Sequence, residues 1–278
     1  MMKIQKENIC LTFGVFDGVT LGHQAVLHKL LNIARTRLLK PVLVLLPDTR
    51  SKVLTPEEEK MELLAQYGDP ALTIVKGQMT SFDDFAKEVL AKAQVVVVGE
   101  ENQYLKALSK SSLLYDFALE ISPIVSLENE VVCAPAIAER LAEGNIEKVS
   151  AMLGRPYRLS GIVVVGKQLG RTVGMPTVNL QVPKDKHLPR LGVYATVLMV
   201  DGERFLGVTN IGRRPTVDDF SYITIETFLL HFSRELYGQF VTLEVKAFIR
   251  DVKTFNNLTE VRKQVDEDIR FVSEHGLL

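Results

Sequence analysis

The first 155 residues alternate short apolar runs with segments of helical periodicity. This alternation predicts strands over about 8–13, 41–46, 71–75 and 95–98, and helices over about 24–35, 56–66, 82–93, 136–143 and 146–153. Strands that alternate with helices are typical of a parallel sheet. We therefore expect a Rossmann-like α/β domain over residues 1–155.

The pattern changes after Gly154-Arg-Pro-Tyr157. Strand-like runs follow at 161–165, 192–200, 204–210, 222–232 and 239–249, and turns such as Asp201-Gly202 and Tyr237-Gly238 separate them. These runs predict a small antiparallel barrel or sandwich, closed by an amphipathic helix at about 258–273. We place this second domain at residues 156–278.

Composition excludes several classes of function. The 278 residues are 46% hydrophobic and 24% charged with a net charge of -1, which is typical of a globular protein and gives no basic field for nucleic acid. Cys10 and Cys133 are too few for a disulfide framework, and no apolar run approaches the roughly 20 residues that span a membrane. The N-terminus lacks an apolar signal core, so we expect a cytoplasmic protein without a membrane partner.

A glycine-rich segment follows the apolar run Ile162–Val165. Gly166, Gly170 and Gly174 are spaced four apart, and such loops expose backbone amides that bind phosphate. Thr177 and Asn179 follow Pro176, and because they are two apart in extended chain they point to the same side, as oxygen ligands suited to Mg²⁺ beside a nucleotide. The spacing is neither a P-loop nor a dinucleotide fingerprint, and taken alone it is more typical of a turn between strands.

A single carboxylate interrupts the strand pattern at 222–232. Counting by two places Glu226 on one face with Thr224, Phe228, Leu230 and Phe232. A carboxylate on an apolar face is costly unless it is paired or used, and desolvation there favours a general base. The alternative is a partly solvated face with Glu226 at its wet end.

A second candidate lies between the first strand and the first helix, in Gly14-Val-Phe-Asp-Gly-Val-Thr-Leu-Gly-His-Gln24. His23 falls at the predicted helix N-terminus, where free N–H groups favour anions, and Thr20 is three residues away and able to face the same ligand. A histidine that only caps or packs the helix is the structural alternative.

The second domain resembles the riboflavin kinase domain of the bifunctional riboflavin kinase/FAD synthetases. The resemblance rests on stretches in the family's order over most of 155–278: Gly161–Leu180, Leu191–Ala195, Gly207–Val217, Ile225–Thr227 and Leu236–Gly238. It implies a six-stranded Greek-key barrel with a C-terminal helix that phosphorylates riboflavin with ATP as co-substrate. One departure is Arg250-Asp-Val252 where the family usually has Arg-Pro-Glu, which bears on flavin affinity.

The resemblance also implies roles for particular residues. Thr177 and Asn179 would hold Mg²⁺ and the nucleotide phosphates, and Glu226 would accept the proton of the attacking hydroxyl. The loop that wraps the phosphates would contain Gly166, Gly170, Arg171, Thr172, Gly174 and Pro176.

The first domain resembles the adenylyltransferase module of the same family, with Thr20-Leu-Gly-His23 in place of His-x-Gly-His. The corresponding site would comprise Gly14, Phe16, Asp17, Thr20, Gly22 and His23, and His23 would stabilise the phosphate leaving charge.

Three other sequence signatures of the family are altered in this chain. They are the Pro-His-Pro, present as Pro47-Asp-Thr49; the Gly-Glu-Asp-Phe-x-Phe-Gly, present as Gly99-Glu-Glu-Asn-Gln-Tyr-Leu105; and the Ser-Ser-Thr-x-x-Arg, aligned with Cys133-Ala-Pro-Ala-Ile-Ala138. The last change removes two hydroxyls and an arginine that would bind ATP phosphates, and Pro135 also lacks an N–H. Because several charge-assisted phosphate contacts are lost, we expect weak or absent FMN adenylylation.

Three hypotheses follow from these observations. The first is a riboflavin kinase with a degenerate adenylyltransferase domain, and the second is a bifunctional enzyme that also converts FMN and ATP to FAD and pyrophosphate. The third is a non-catalytic flavin- or nucleotide-binding regulator, against which Glu226, Thr177 and Asn179 argue because a binder needs no base and no metal site. The expected partners are riboflavin, FMN and ATP/ADP, and a weak homo-oligomer and the preferred nucleotide are left open.

Overall fold

The structure is a computed structural model that describes residues 6–67, 69–166, 176–215, 221–255 and 257–274. Its internal contacts divide the chain into two compact units, Met1–Ala136 and Ile137–Leu278. Within the described residues, no helix has the length and apolar character needed to cross a bilayer.

The first unit is an α/β sheet. Its elements are β1 (Ile9–Gly14), α1 (Leu21–Thr36), β2 (Lys40–Leu45), α2 (Glu57–Tyr67), β3 (Thr73–Lys76), α3 (Phe82–Glu88), β4 (Val95–Gly99), α4 (Leu105–Tyr115), β5 (Ala118–Ser122), β6 (Ser126–Leu127) and β7 (Glu130–Val131). The strands β3-β2-β1-β4-β5 form one parallel sheet in that order, while β6 and β7 form a small antiparallel hairpin. This confirms the expected Rossmann-like class.

The sheet is buried on both faces because its central strands are apolar at almost every position. On β4, Val95 and Val97 join the core beneath α1, whereas Val96 and Val98 join the core beneath α3 and α4. The strand order reverses between β1 and β4, and this is the point at which open α/β sheets form a crevice at the carboxyl ends of their strands.

The remaining elements follow the first unit in the chain. They are α5 (Ala134–Glu143), α6 (Ile146–Leu153), β8 (Tyr157–Val164), β9 (Thr177–Gln181), β10 (Gly192–Val200), β11 (Glu203–Pro215), β12 (Ser221–Leu229), β13 (Phe240–Arg250) and α7 (Leu258–Glu274). The strands close a barrel in the order β10-β11-β12-β9-β8-β13, with every neighbouring pair antiparallel. The predicted antiparallel barrel and C-terminal helix are confirmed.

The barrel has a packed interior and a partly covered exterior. Residues such as Tyr194, Ile225 and Leu243 fill the interior, while Val272 of α7 packs outside on a small apolar cluster with Val193 and Val208. The helix therefore covers the outer faces of β10 and β11 and leaves those of β9 and β12 for other contacts.

Several element predictions need correction. The single helix expected over 82–93 is α3 followed by a 3-10 turn at Leu90–Lys92, and the strand expected to reach Phe232 ends at Leu229 because His231 adopts a positive φ of 54°. The pattern also missed α4, β5, the β6/β7 hairpin and β9. These missed strands are short, and β5 is an edge strand whose side chains are largely half-exposed.

The division between the two compact units follows Ala136 in the chain, whereas the sequence predicts the domain boundary at 155/156. Helix α6, between these points, packs on β8 and β13 of the barrel. As a boundary between functional domains, 155/156 stays a prediction.

Gly161→Ala should weaken the pairing of β8 with β9. A Cβ at Gly161 would overlap the carbonyl group of Gln181 and lie 2.8 Å from its carbon. We expect the free energy of unfolding of the barrel to fall by about 2 kcal/mol or more in equilibrium denaturation, because neither backbone can move without breaking the barrel. Gly99→Ala is the control, since its Cβ would meet only Val26 Cγ2 at 3.7 Å; equal stability of the two variants would contradict this account.

Candidate functional site

The crevice of the first unit contains the predicted site residues. A cavity of about 390 Å³ opens at the carboxyl ends of β1 and β4. All six residues predicted for the adenylyltransferase site line it: Gly14, Phe16, Asp17, Thr20, Gly22 and His23.

Thr20 and His23 form a reciprocal cap at the N-terminus of α1. The His23 N–H donates to Thr20 Oγ1 at 3.4 Å, and the Thr20 N–H donates to His23 Nδ1 at 3.1 Å. Because Nδ1 accepts a hydrogen bond, the neutral ring carries its proton on Nε2. Burial of the ring lowers the pKa of His23 to about 4, and the Asp17 carboxylate opposes this only in part.

The ring of His23 is held in place by Phe16. The two ring centroids are 4.8 Å apart, and Phe16 itself has a left-handed backbone conformation with φ 52°. The result is a fixed Nε2–H donor beside the amides of a helix N-terminus, an arrangement whose geometry suits an anion such as a phosphate group. The cap and the ligand-facing role expected for His23 are therefore compatible.

Asp17 lies in the cavity wall with its carboxylate turned into the protein. Its oxygens accept hydrogen bonds from the backbone N–H groups of Leu54 and Thr55, at 3.1 and 2.9 Å, and from the Thr55 hydroxyl at 3.1 Å. Arg50 Nη2 donates to the same carboxylate at 2.8 Å. Asp17 thus ties the loop after β1 to the loop after β2.

Arg50 was not found from the sequence, although it lines the cavity. Its guanidinium forms an ion pair with Asp17 and a second one with Asp48, with Nε 2.8 Å from Asp48 Oδ1. The hydrogen bond from Arg50 lowers the pKa of Asp48 below its usual value. Two carboxylates therefore neutralise this cation, and one of them stands at the middle of the altered Pro47-Asp48-Thr49 segment.

The other altered signatures line the same cavity. Its wall includes Glu100, Glu101, Asn102, Cys133, Ala134 and Pro135. The Glu100 carboxylate accepts from the Ile124 N–H at 3.2 Å, and the hydroxyl of Thr12 is buried without a hydrogen-bond partner among the described residues. Among the residues that line this cavity, Arg50 is the only lysine or arginine. Lys60 does not line the cavity, but its charge acts on His23 together with the charge of Arg50.

In the barrel, Glu226 and Asn179 are cross-strand neighbours. Glu226 on β12 stands directly opposite Asn179 on β9, and this register places both on the outer face. Glu226 is half-buried there with Thr224 and Phe228, whereas the fully buried positions are Ile225, Thr227 and Leu229 on the inner face. Glu226 is thus neither fully desolvated nor fully exposed, which lies between the two alternatives that the sequence leaves open.

Gly166 lies against the side chain of Asn179. A Cβ at Gly166 would overlap the Asn179 amide and lie 2.6 Å from its Cγ, so only glycine permits this approach. Thr177 and Asn179 point to the same face of β9, as the spacing predicted. Gly170, Arg171, Thr172 and Gly174 lie outside the described residues.

The donor set around Gly166 fits Mg²⁺ shared with a phosphate. A hydroxyl and an amide oxygen lie on the same face of β9, and the backbone of Gly166 packs directly against the amide. The described residues contain no cluster of three or more histidine, cysteine or carboxylate side chains suited to a metal. An ion here would thus depend on phosphate oxygens for its remaining ligands.

A cavity of about 370 Å³ adjoins Thr177 at the end of the barrel. Its wall combines apolar and aromatic side chains with one arginine: Val163, Pro176, Leu229, Phe232, Arg234, Leu236 and Tyr237. On another side of the barrel, Asp251 of the altered Arg-Asp-Val stretch forms an ion pair with Arg190 at 2.5 Å. Asp251, which departs from the family pattern, is therefore paired within the barrel unit.

Comparisons with known proteins cover both units. The family model described as riboflavin kinase matches residues 153–275, and the model described as FAD synthetase matches residues 2–134. Bifunctional riboflavin kinase/FMN adenylyltransferases are similar over nearly the whole chain. The protein of Listeria monocytogenes is 31% identical (94% of this chain, 90% of that protein), and that of Escherichia coli K12 is 31% identical (95% and 91%).

A solved structure also matches the chain. A crystal structure described as a macrolide-efflux protein from Streptococcus pneumoniae has a TM-score of 0.85, 21% sequence identity, and coverage of 97% of this chain and 94% of that chain. At this identity the likeness shows the fold alone.

Acid should destabilise the first unit through His23. Its pKa in the folded chain is about 4, below the value of roughly 6.5 expected when unfolded, so between these values the unfolded state binds more protons. Stability is lost as pH falls through this window, by about 2 kcal/mol between pH 7 and pH 4.5. Unfolding of His23→Asn should lack this component, whereas His28→Asn, an exposed position on the same helix, should keep it. Parallel pH profiles for wild type and His23→Asn would refute the assignment.

Proposed function

Because this chain belongs to the family of bifunctional riboflavin kinase/FMN adenylyltransferases, we propose that its barrel converts riboflavin and ATP to FMN and ADP while its first unit has lost most FMN adenylylation. The observation that carries the kinase proposal is the cross-strand pair of Asn179 and Glu226, with the backbone of Gly166 packed against the Asn179 amide. The observation that carries the proposed loss is the neutralised Arg50 in a cavity with several carboxylates. We also propose a cytoplasmic location.

In the barrel, Glu226 accepts the proton of the terminal ribityl hydroxyl. That oxygen forms a bond to the γ-phosphorus, the bond from this phosphorus to the bridging oxygen breaks, and ADP leaves with the electron pair. Thr177 and Asn179 would hold Mg²⁺, which neutralises phosphate charge and orients the transferred group when bound. Phosphoryl transfer depends mostly on positioning and charge neutralisation, so we expect the base to contribute less than the phosphate-binding residues.

The cavity next to Thr177 is the place for the nucleoside of ATP. It continues directly from the residues that would hold the phosphates, and Phe232 and Tyr237 supply aromatic surface in its wall. Pockets of this size with apolar walls and a few polar groups are typical of small-molecule sites.

In the first unit, one half of an adenylyltransferase site remains. His23 and the amides at the N-terminus of α1 can bind a phosphate, as argued from the reciprocal cap. The lost groups are those replaced by Asp48 and by Cys133, Ala134 and Pro135. Each charge-assisted contact to phosphate is worth about 1.5–3 kcal/mol, so several losses lower transition-state binding by several powers of ten.

A bifunctional enzyme is the second candidate. It is supported by the intact Thr20–His23 pair and by relatives that carry both activities in their names. It requires other residues to replace the missing phosphate contacts.

The purified chain incubated with riboflavin, ATP and Mg²⁺ should accumulate FMN and little FAD when the flavins are separated by chromatography. The same incubation started from FMN should leave FMN unchanged. FAD formation at the rate of FMN formation would overturn the proposed loss and support the bifunctional candidate. Absence of any flavin turnover would overturn the kinase proposal and favour a regulator.

Two variants test the barrel site. Glu226→Gln should lower kcat for FMN formation about 10²- to 10⁴-fold, because it removes the proton acceptor, with the KM for ATP unchanged. Gly166→Ala should raise the KM for ATP and the Mg²⁺ requirement, because its Cβ displaces the Asn179 amide. Val165→Ala, at the exposed neighbouring position, is the control and should retain wild-type kinetics. A Gly166→Ala enzyme with normal kinetics would exclude Asn179 from the phosphate site.

A further inference from the structure

Asn210 continues the row of polar side chains on the outer face of the barrel. On β11 it stands directly opposite Glu226, which stands opposite Asn179, so the three lie side by side on adjacent strands. Cross-strand partners in register share a face and have Cβ atoms about 5 Å apart. We propose that Asn210 binds the polyhydroxyl chain of the acceptor and holds its terminal hydroxyl at Glu226. This inference rests on the proposed kinase function of the same face.

The side chain of Asn210 is available for such a contact. It is half-buried, and no hydrogen bond joins its amide to any described residue. The amide lies over Gly212, where a Cβ would approach Nδ2 to 3.1 Å. The backbone therefore leaves room for Asn210 along the face, and its amide keeps two donors and one acceptor oxygen for a ligand.

The order of the row determines which ligand Asn210 meets. The phosphate side is at Asn179 and Gly166, and the proton acceptor Glu226 lies in the middle. The attacking and leaving oxygens stand roughly in line across the transferred phosphorus, so the acceptor approaches from the side away from the nucleotide. That side of Glu226 is occupied by Asn210.

The next position beyond Asn210 is apolar. Val193 on β10 stands opposite Asn210 and belongs to the cluster covered by Val272 of α7. A ligand that lies along this row thus meets a carboxylate, then an amide, then the edge of an apolar patch. This order suits a molecule with a hydroxylated chain attached to a hydrophobic ring, in which the amide pairs with hydroxyls next to the reacting one.

Steady-state kinetics of Asn210→Ala and Asn210→Ser test the proposal. Both should raise the KM for riboflavin about tenfold or more and leave the KM for ATP within about twofold of wild type, since one hydrogen-bonded contact is worth about a factor of ten. Gln181→Ala is the matched control, because Gln181 is a polar residue on the same face of β9 but lies two residues along the strand from Asn179, outside the row that contains Glu226 and Asn210. It should change neither constant.

A flavin analogue with one terminal hydroxyl and no others on its side chain gives a second readout. Wild type should use it about tenfold less well than riboflavin, whereas Asn210→Ala should discriminate much less between the two. A merely structural role for Asn210 would lower thermal stability and leave this discrimination intact, which would overturn the proposal. A rise in the KM for ATP alone would also overturn it. If the wild-type chain forms no FMN from riboflavin, the kinase proposal itself is wrong. Wild-type activity is therefore measured before the Asn210 variants are compared.

Discussion

The register of the barrel strands is the constraint on which the proposed kinase site depends. Side chains alternate between faces along a strand, so a slip of one residue would carry Glu226 into the interior. A chain of buried hydroxyls opposes such a slip. Thr196 donates to the Gly207 carbonyl at 3.1 Å, and Thr196, Thr209 and Thr227 follow one another at 2.8 Å. Because each buried hydroxyl left unpaired would cost about 1–3 kcal/mol, β10, β11 and β12 are held in one alignment from inside while the site is displayed outside.

The first unit shows a different relation between fold and chemistry. There Asp17 is both part of the cavity wall and the tie between two loops, and Arg50 is engaged by Asp17 and Asp48. We propose that these ion pairs, which order the loops, also weaken the binding of a polyphosphate, so that the scaffold of a nucleotide site is retained without its full electrostatic function.

The sequence was sufficient wherever a feature depends on nearby positions. The alternation of apolar runs predicted both fold classes, and a spacing of two residues predicted that Thr177 and Asn179 share a face. It was insufficient where the feature depends on distant segments. Asn210 meets Glu226 only through the register of two strands, and Arg50 meets Asp17 only through the packing of two loops. The sequence left the burial of Glu226 open because both faces of β12 carry apolar side chains, so periodicity alone did not identify the inner one.

The proposed loss of FMN adenylylation has a consequence for cellular supply. A chain that makes FMN and does not adenylylate it would release its product as a finished cofactor. Enzymes that need FAD would then draw it from a separate protein or from uptake. The ratio of the two flavin cofactors would be governed by the abundance of two gene products, where a single bifunctional chain would have tied them together.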